Sequence, residues 1–134
     1  MTEQIWINLP VKDTTRSRAF FDALGFTIEP QHPGTDGAGV LIGRNETRVM
    51  LFPEETFRGF TQNGLPDTDR TTEVLFSFSA GSKDEVDQIA RTVVDAGGRL
   101  FAEPEEIQGW MYGCAFEDPD GHRWNAVYMD PAGP

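Results

Sequence analysis

Cysteine and histidine are nearly missing from this chain. Its 134 residues include one cysteine, Cys114, and two histidines, His32 and His122. One cysteine cannot form an internal disulfide or a Cys-rich zinc module. Two histidines give no clear support to a two-histidine metal triad or a Ser-His-Asp arrangement. The lone thiol favours a reducing, cytoplasmic location.

Basic residues are also scarce. Eleven lysines and arginines stand against 22 acidic residues, which gives a net charge of −11. Binding to nucleic acid or to an anionic membrane needs clustered basic side chains, so we expect neither partner. No apolar run reaches the length of a membrane span, and Met1-Thr2-Glu3-Gln4 lacks the basic start of a signal peptide. The acidity favours solubility and, for any small ligand, a positive charge.

The two halves of the chain repeat one pattern. Asp22-Ala23-Leu24-Gly25 ends an amphipathic helical stretch in the first half, and Asp95-Ala96-Gly97-Gly98 does so in the second. A short strand follows each and runs to Glu29-Pro30 or Glu103-Pro104. A duplicated supersecondary unit implies two similar half-sites, so we expect a ligand site between the halves.

A length of 134 residues predicts one domain over residues 1–134, or two small modules that share a core, and hydrophobic periodicity predicts the α+β class. Each half is predicted as strand–helix–strand–strand–strand, over about residues 4–53 and 72–129, with a polar connection at 54–71. Strands are predicted at 5–11, 26–29, 38–43, 47–52, 73–78, 99–102, 110–117 and 122–129. Helices are predicted from an Asp13 cap to a Gly25 stop, and over 82–96.

Strand alternation assigns each side chain to one face of its sheet. Residues predicted to pack on the helices are Ile5, Ile7, Leu9, Val49, Leu51, Val74, Phe76, Phe78, Trp124, Ala126 and Tyr128. Residues predicted to line the opposite, concave face are Trp6, Asn8, Met50, Phe52, Glu73, Leu75, Ser77, Asn125 and Val127. The helices are predicted to bury Ala19, Phe20, Ala23, Leu24, Val86, Ile89, Ala90, Val93 and Val94.

Three side chains are candidates for chemistry. Glu73 on the concave face would be desolvated, which raises a carboxylate pKa and suits a general base; the alternative is an exposed strand end. His122, after the Asp118-Pro119-Asp120-Gly121 turn, is either an acid/base or a packing residue. Cys114 is either a reactive thiol or a buried, inert one.

Aromatic residues offer a second kind of site. They could form a ligand pocket, or they could be ordinary core and a dimer seam; the sequence leaves both open. The aromatic candidates, together with Met50, are Trp6, Phe52, Phe57, Phe60, Trp110 and Tyr112.

Three motifs resemble the vicinal oxygen chelate superfamily, which includes glyoxalase I, bleomycin-resistance proteins and extradiol dioxygenases. They are Leu9-Pro10-Val11-Lys12-Asp13, the run from Ser17-Arg18-Ala19-Phe20-Phe21 to Leu24-Gly25-Phe26, and Phe116-Glu117-Asp118-Pro119-Asp120-Gly121-His122. The resemblance extends from about Ile5 to Asp130. It implies paired βαβββ modules that form a cupped half-barrel, and a homodimer.

The resemblance also implies where a metal would bind. Metal-dependent members hold a divalent ion with one His, Glu or Gln from each of four strands, and the ion polarises substrate oxygens. The matching positions here are Trp6, Met50, Leu75 and Asn125, none of which suits Zn, Mg, Mn or Ni. We therefore predict no metal cofactor.

Three functions remain open. The first is metal-independent binding of a small aromatic or cationic molecule by Trp6, Asn8, Met50, Phe52, Leu75 and Asn125. The alternative is a divalent-metal-dependent glyoxalase-like lyase or isomerase, or a dioxygenase, with displaced ligands and Glu73 as its catalytic residue. A protein interaction module without a small ligand is a third possibility.

Overall fold

The computed structural model describes every residue from Met1 to Pro134. The chain divides into two compact units, Met1–Asp67 and Thr68–Pro134. No helix is long and apolar enough to cross a membrane.

The first unit is one mixed four-stranded sheet with two helices. The strands lie in the order β1-β4-β3-β2, with β1 parallel to β4 and the other pairs antiparallel. Its elements are β1 (Ile7–Val11), α1 (Thr14–Ala23), β2 (Thr27–Ile28), β3 (Ala38–Ile42), β4 (Thr47–Pro53) and α2 (Glu54–Thr61).

The second unit has the same connectivity. Its strands lie in the order β5-β8-β7-β6, and β5 is parallel to β8. Its elements are β5 (Leu75–Ser79), α3 (Lys83–Asp95), β6 (Arg99–Ile107), β7 (Met111–Glu117) and β8 (Arg123–Met129). The duplicated βαβββ pattern and the α+β class predicted from the sequence are thus confirmed.

Local capping explains where α1 begins and ends. Oδ1 of Asp13 accepts hydrogen bonds from the backbone N–H groups of Thr15 and Arg16, at 3.0 and 3.1 Å. Gly25 has φ +92°, a conformation that glycine adopts without strain. Both predicted helix boundaries are therefore confirmed.

The buried face of α1 differs from the prediction. Ser17, Phe20 and Phe21 are buried, whereas Ala19 and Ala23 are exposed. The rings of Phe20 and Phe21 pack edge to face with centroids 5.1 Å apart. Two adjacent phenylalanines bury far more apolar area than two alanines, so they decide which side of the helix faces the sheet.

Helix α3 follows its predicted pattern with one exception. Oγ of Ser82 accepts from the Glu85 N–H, and the predicted residues from Val86 to Val93 are buried. Val94 is 55% exposed, so its predicted burial is wrong. At 100° per residue, Val94 lies about 80° round the helix from Val86, at the margin of the apolar stripe.

The strand predictions need three corrections. The first strand begins at Ile7, which leaves Ile5 exposed, and β5 begins at Leu75, which leaves Val74 exposed. Strand β6 continues to Ile107, well beyond the predicted end, through two irregularities in its pairing with β7. The predicted core positions Val49, Leu51, Trp124 and Ala126 are all buried.

The predicted polar connection is partly helical. Helix α2 occupies Glu54–Thr61 within it and contacts β1 and β4. Glu54 and Glu55 in the first turn complement the positive end of the helix dipole, and Gln62 ends the helix with φ +53°. No residue of α2 is fully buried, because the helix packs through the edges of a few side chains.

Candidate functional site

Each sheet has one face that its crossover helix does not cover. Helix α1 contacts β2, β3 and β4, and α3 contacts β6, β7 and β8. We call the opposite faces the first and second open faces. Alternation from the buried Leu51 and Trp124 places on them Asn8, Gly39, Arg48, Met50 and Phe52 in the first unit, and Leu75, Ser77, Glu117, Arg123, Asn125 and Val127 in the second.

Strand pairing places the predicted ligand-binding residues at equivalent strand positions in the two units. Met50 lies beside Asn8 of β1, and Asn125 lies beside Ser77 of β5. Leu75 is the first residue of β5, and Trp6 immediately precedes β1. The structure thus brings Asn8 and Met50 together on the first open face, and it places Leu75 and Asn125 on the second.

The predicted catalytic residue lies elsewhere. Glu73 precedes β5 by two residues and is exposed. The prediction that it sits within the strand, desolvated on the concave face, is wrong, because the apolar pairing of β5 starts only at Leu75.

The residues at the four family ligand positions do not fit a divalent metal. An indole, a thioether, an isobutyl group and a neutral amide supply no charged donor between them. No group of three or more His, Cys, Asp or Glu side chains is arranged to hold a metal ion elsewhere in the chain. These side chains therefore do not support a reaction step that uses a bound divalent metal.

An ion pair occupies the centre of the first open face. Nε and Nη2 of Arg48 donate to Oε1 and Oε2 of Glu29, at 2.6 and 3.1 Å. These hydrogen bonds lower the pKa of the Glu29 carboxyl. The carboxylate lies directly over Gly39, where any Cβ would clash with it. Gly39 is thus needed for this bidentate pair.

Aromatic rings flank that pair. Phe52 packs edge to face against Phe60 of α2, with centroids 5.0 Å apart. A Cβ on Gly37 would lie 2.5 Å from the Phe52 ring, so the glycine leaves room for the ring. Phe60 remains exposed, which leaves an accessible aromatic edge beside Met50 and Phe52.

A larger ionic cluster occupies the second open face. Glu117 is buried and accepts from Nε of Arg99 and from Nη2 of Arg123, each at 2.8 Å. The Arg123 guanidinium carbon lies 4.2 Å from the centroid of the Phe101 ring. Nε of Arg123 is buried without a hydrogen-bond partner, and so is Oδ1 of Asn125.

Strand register relates the two arrangements. Arg48 and Arg123 occupy the same position in β4 and β8, two residues before Met50 and Asn125. Glu29 directly follows β2, and Phe101 lies two residues after Arg99 in β6. After the matching strand positions, the second unit therefore has the Phe101 ring where the first unit has a carboxylate. Glu103, matched to Glu29 by the sequence repeat, lies instead in a groove beside α3, because β6 contains bulges.

The sequence analysis missed these charged residues. Alternation could have found Arg48 and Arg123, because each stands two residues before a predicted site position. Nothing local identifies Glu29 as the partner of Arg48, nor Arg99 and Arg123 as joint partners of Glu117, since these pairs depend on the strand order.

Several other candidates belong to the helix side of the second sheet. The Tyr112 hydroxyl donates to Asp87 of α3 at 2.7 Å, so Tyr112 does not line the open face. Cys114 is buried, and burial raises the pKa of its thiol to about 11. The thiol is therefore the inert alternative of the two considered.

The turn before β8 is fixed by a buried carboxylate. Asp118 accepts from Nε1 of Trp124 and from the backbone N–H groups of Asp120 and His122, at 2.9–3.1 Å. Burial raises the pKa of its carboxyl against the lowering effect of these donors and of His122. This network gives His122 a place in a structural turn.

These features define a duplicated βαβββ protein with polar and aromatic open faces. A family model described as Glyoxalase/Bleomycin resistance protein/Dioxygenase superfamily matches residues 4–126. The chain therefore belongs to that superfamily. No curated protein matches it.

Solved structures agree with this assignment. A hypothetical protein from S. aureus is 36% identical, with a TM-score of 0.87 over 96% of this chain and 95% of the other. A glyoxalase-related enzyme from Fulvimarina pelagi is 17% identical, with a TM-score of 0.79 over 95% and 88%. The fosfomycin resistance protein FosX from Listeria monocytogenes is 18% identical, with a TM-score of 0.68 over 98% and 97%. The last two similarities concern the fold alone.

Proposed function

We propose that this chain binds a small aromatic molecule on its open faces, without a divalent metal at the family's usual ligand positions. The observation that carries the proposal is the set of residues at and beside those positions. Trp6, Met50 and Leu75 are apolar, Asn125 is a neutral amide, and organised ion pairs stand two residues before Met50 and Asn125.

The first open face supports recognition of an aromatic group. Met50, Phe52 and the exposed ring of Phe60 provide apolar area and ring edges that can pack against a flat ligand. A thioether adapts its shape at little cost, which suits a binding surface. Burial of ligand area contributes about 25 cal/mol per Å² before ordering costs.

The polar groups suit orientation of the ligand. Asn8 is exposed beside Met50, and Asn125 carries a carbonyl oxygen without a partner. Unsatisfied amides gain most from a ligand that completes their hydrogen bonds.

A fragment screen against protein dialysed with EDTA tests this function. We expect aromatic fragments to raise the melting temperature, since a ligand at 100 times its Kd stabilises the fold by about 2.7 kcal/mol. Phe52→Leu should weaken the same fragments, whereas Val94→Ala, an exposed apolar change on α3, should leave them unaffected. Stabilisation that appears only when a divalent metal is added would contradict the proposal.

A further inference from the structure

The two units differ in the hydrogen-bond acceptors that they offer to an arginine at the same strand position. In the first unit Arg48 has one carboxylate to itself, and both Glu29 oxygens bond to it. In the second unit Arg123 shares Glu117 with Arg99, and its Nε has no acceptor. Because Arg48 Nε donates to Glu29, the second unit lacks the acceptor that the first unit supplies.

The missing carboxylate corresponds to a specific residue. Phe101 follows Leu100 in β6 as Glu29 follows Ile28 of β2, and its ring lies against the Arg123 guanidinium. The buried Nε of Arg123 would become accessible to a planar anion when the Phe101 ring moves aside, and arginine can bind a carboxylate and an aromatic face together. Phe101 is 39% exposed on an edge strand, so its ring has room to move.

Charge adds a second reason. Arg99 and Arg123 present two guanidinium groups to the one buried carboxylate of Glu117, and the exposed Asp69 adds a Coulombic interaction with Arg99. The Arg99 side chain is 64% exposed, whereas that of Glu117 is 12% exposed. An incoming anion therefore meets the guanidinium groups before it meets the carboxylate.

We propose that Arg99 and Arg123 bind the carboxylate of a small aromatic acid. The ligand carboxylate takes the place of the acidic side chain that the second unit lacks, since Phe101 supplies none. This inference rests on the proposed small-molecule function and names its ligand class. It differs from the preference for cations that the net charge of −11 suggested, because the ligand would meet two guanidinium groups at this position.

Three probes with one phenyl ring test the inference: benzoate, benzylamine and benzyl alcohol. Each is titrated into the full chain while backbone amide and arginine Nε–H resonances are followed by NMR. We expect benzoate to bind at least about tenfold more tightly than benzyl alcohol, with the Arg123 Nε–H signal moving downfield. Arg99→Gln should abolish that preference, and Arg44→Gln, the same charge change in an exposed hairpin turn, should preserve it.

A substitution at Phe101 provides the sharper comparison. Phe101→Glu supplies to Arg123 the carboxylate that Glu29 supplies to Arg48. We therefore expect this variant to bind benzoate at least about tenfold more weakly than the wild type. Phe101→Gln, of equal size and without charge, should retain benzoate binding. Equal benzoate affinity in these two variants would overturn the inference.

The remaining outcomes separate this inference from the proposed function. Equal affinities for benzoate and benzyl alcohol would show that the anion site does not exist. The proposed binding of aromatic molecules would still stand. Tighter binding of benzylamine would replace the inference with a preference for cations. Failure of all three probes would overturn the anion site, while the fragment screen decides the broader function.

Discussion

Arg48 and Arg123 occupy the same register position in the two repeats, yet only Arg48 has a carboxylate bound to its Nε. The duplicated fold thus presents one closed ion pair and one open cluster at matching places. The proposed anion site rests on this asymmetry, and the individual contacts can be tested separately.

Gly39→Ala should destabilise the first unit. The added Cβ clashes with the Glu29 carboxylate and forces it off Arg48. We expect a cost of up to about 1 kcal/mol in the free energy of unfolding, measured by urea denaturation. Gly64→Ala, where nothing lies within 4 Å of the new Cβ, should change it by less than about 0.5 kcal/mol. Equal effects of the two changes would show that the ion pair over Gly39 is not formed.

Glu29→Gln should reveal the contribution of that ion pair through its pH dependence. Hydrogen bonds from Arg48 lower the folded-state pKa of Glu29 below its unfolded value of about 4.3. The pair should therefore contribute about 1 kcal/mol or less above pH 4.3, and lose it as pH falls through the lowered pKa. The stability difference between wild type and variant should shrink on acidification. A difference that grows as pH falls would show that the Arg48 pair does not stabilise the charged form.

Asp118→Ala should be costly because three donors lose one acceptor. Nε1 of the buried Trp124 and the backbone N–H groups of Asp120 and His122 would each lose this acceptor. We expect a loss of about 3 kcal/mol in chemical denaturation, and a smaller loss for Asp118→Asn, which keeps one oxygen. Wild-type stability in Asp118→Ala would mean that water replaces the carboxylate.

Cys114 should resist alkylation in the native state. Burial raises its thiol pKa to about 11, so little thiolate exists at pH 8. Iodoacetamide should modify the unfolded chain at least about a hundredfold faster than the folded one, as followed by mass spectrometry. Native labelling at the rate of a free thiol would place Cys114 at an accessible position.

The fold was predictable to a large extent because its signals are local. Asp13 and Ser82 mark helix starts through their side chains, and Gly25 marks a helix end because it has none. The repeated order of elements defines both sheets. Helix α2 was missed because Phe57 and Phe60 lie among polar residues without a full apolar stripe. The signal present was Pro53 followed by two glutamates, a pattern typical of a helix start.

The site was predictable only in part. Alternation correctly placed Asn8, Met50 and Asn125 on the open faces. It could not place Glu73, whose strand begins two residues later, and it could not detect the bulges in β6 that put Phe101 beside Arg123. Ion pairs between strands far apart in sequence depend on register and bulges, which no local pattern specifies.

Titration of the EDTA-dialysed protein with an aromatic ligand from the screen, followed by NMR, tests the central claim most directly. We predict the same affinity with and without added Zn²⁺ or Mn²⁺ (the Mn²⁺ arm measured by calorimetry), and shifts at the Trp6 indole and the Met50 methyl. Trp6→Ala should weaken binding more than about tenfold, or about 1.4 kcal/mol. Binding that requires a metal, or that shifts only residues on the α1 and α3 sides of the sheets, would contradict the account.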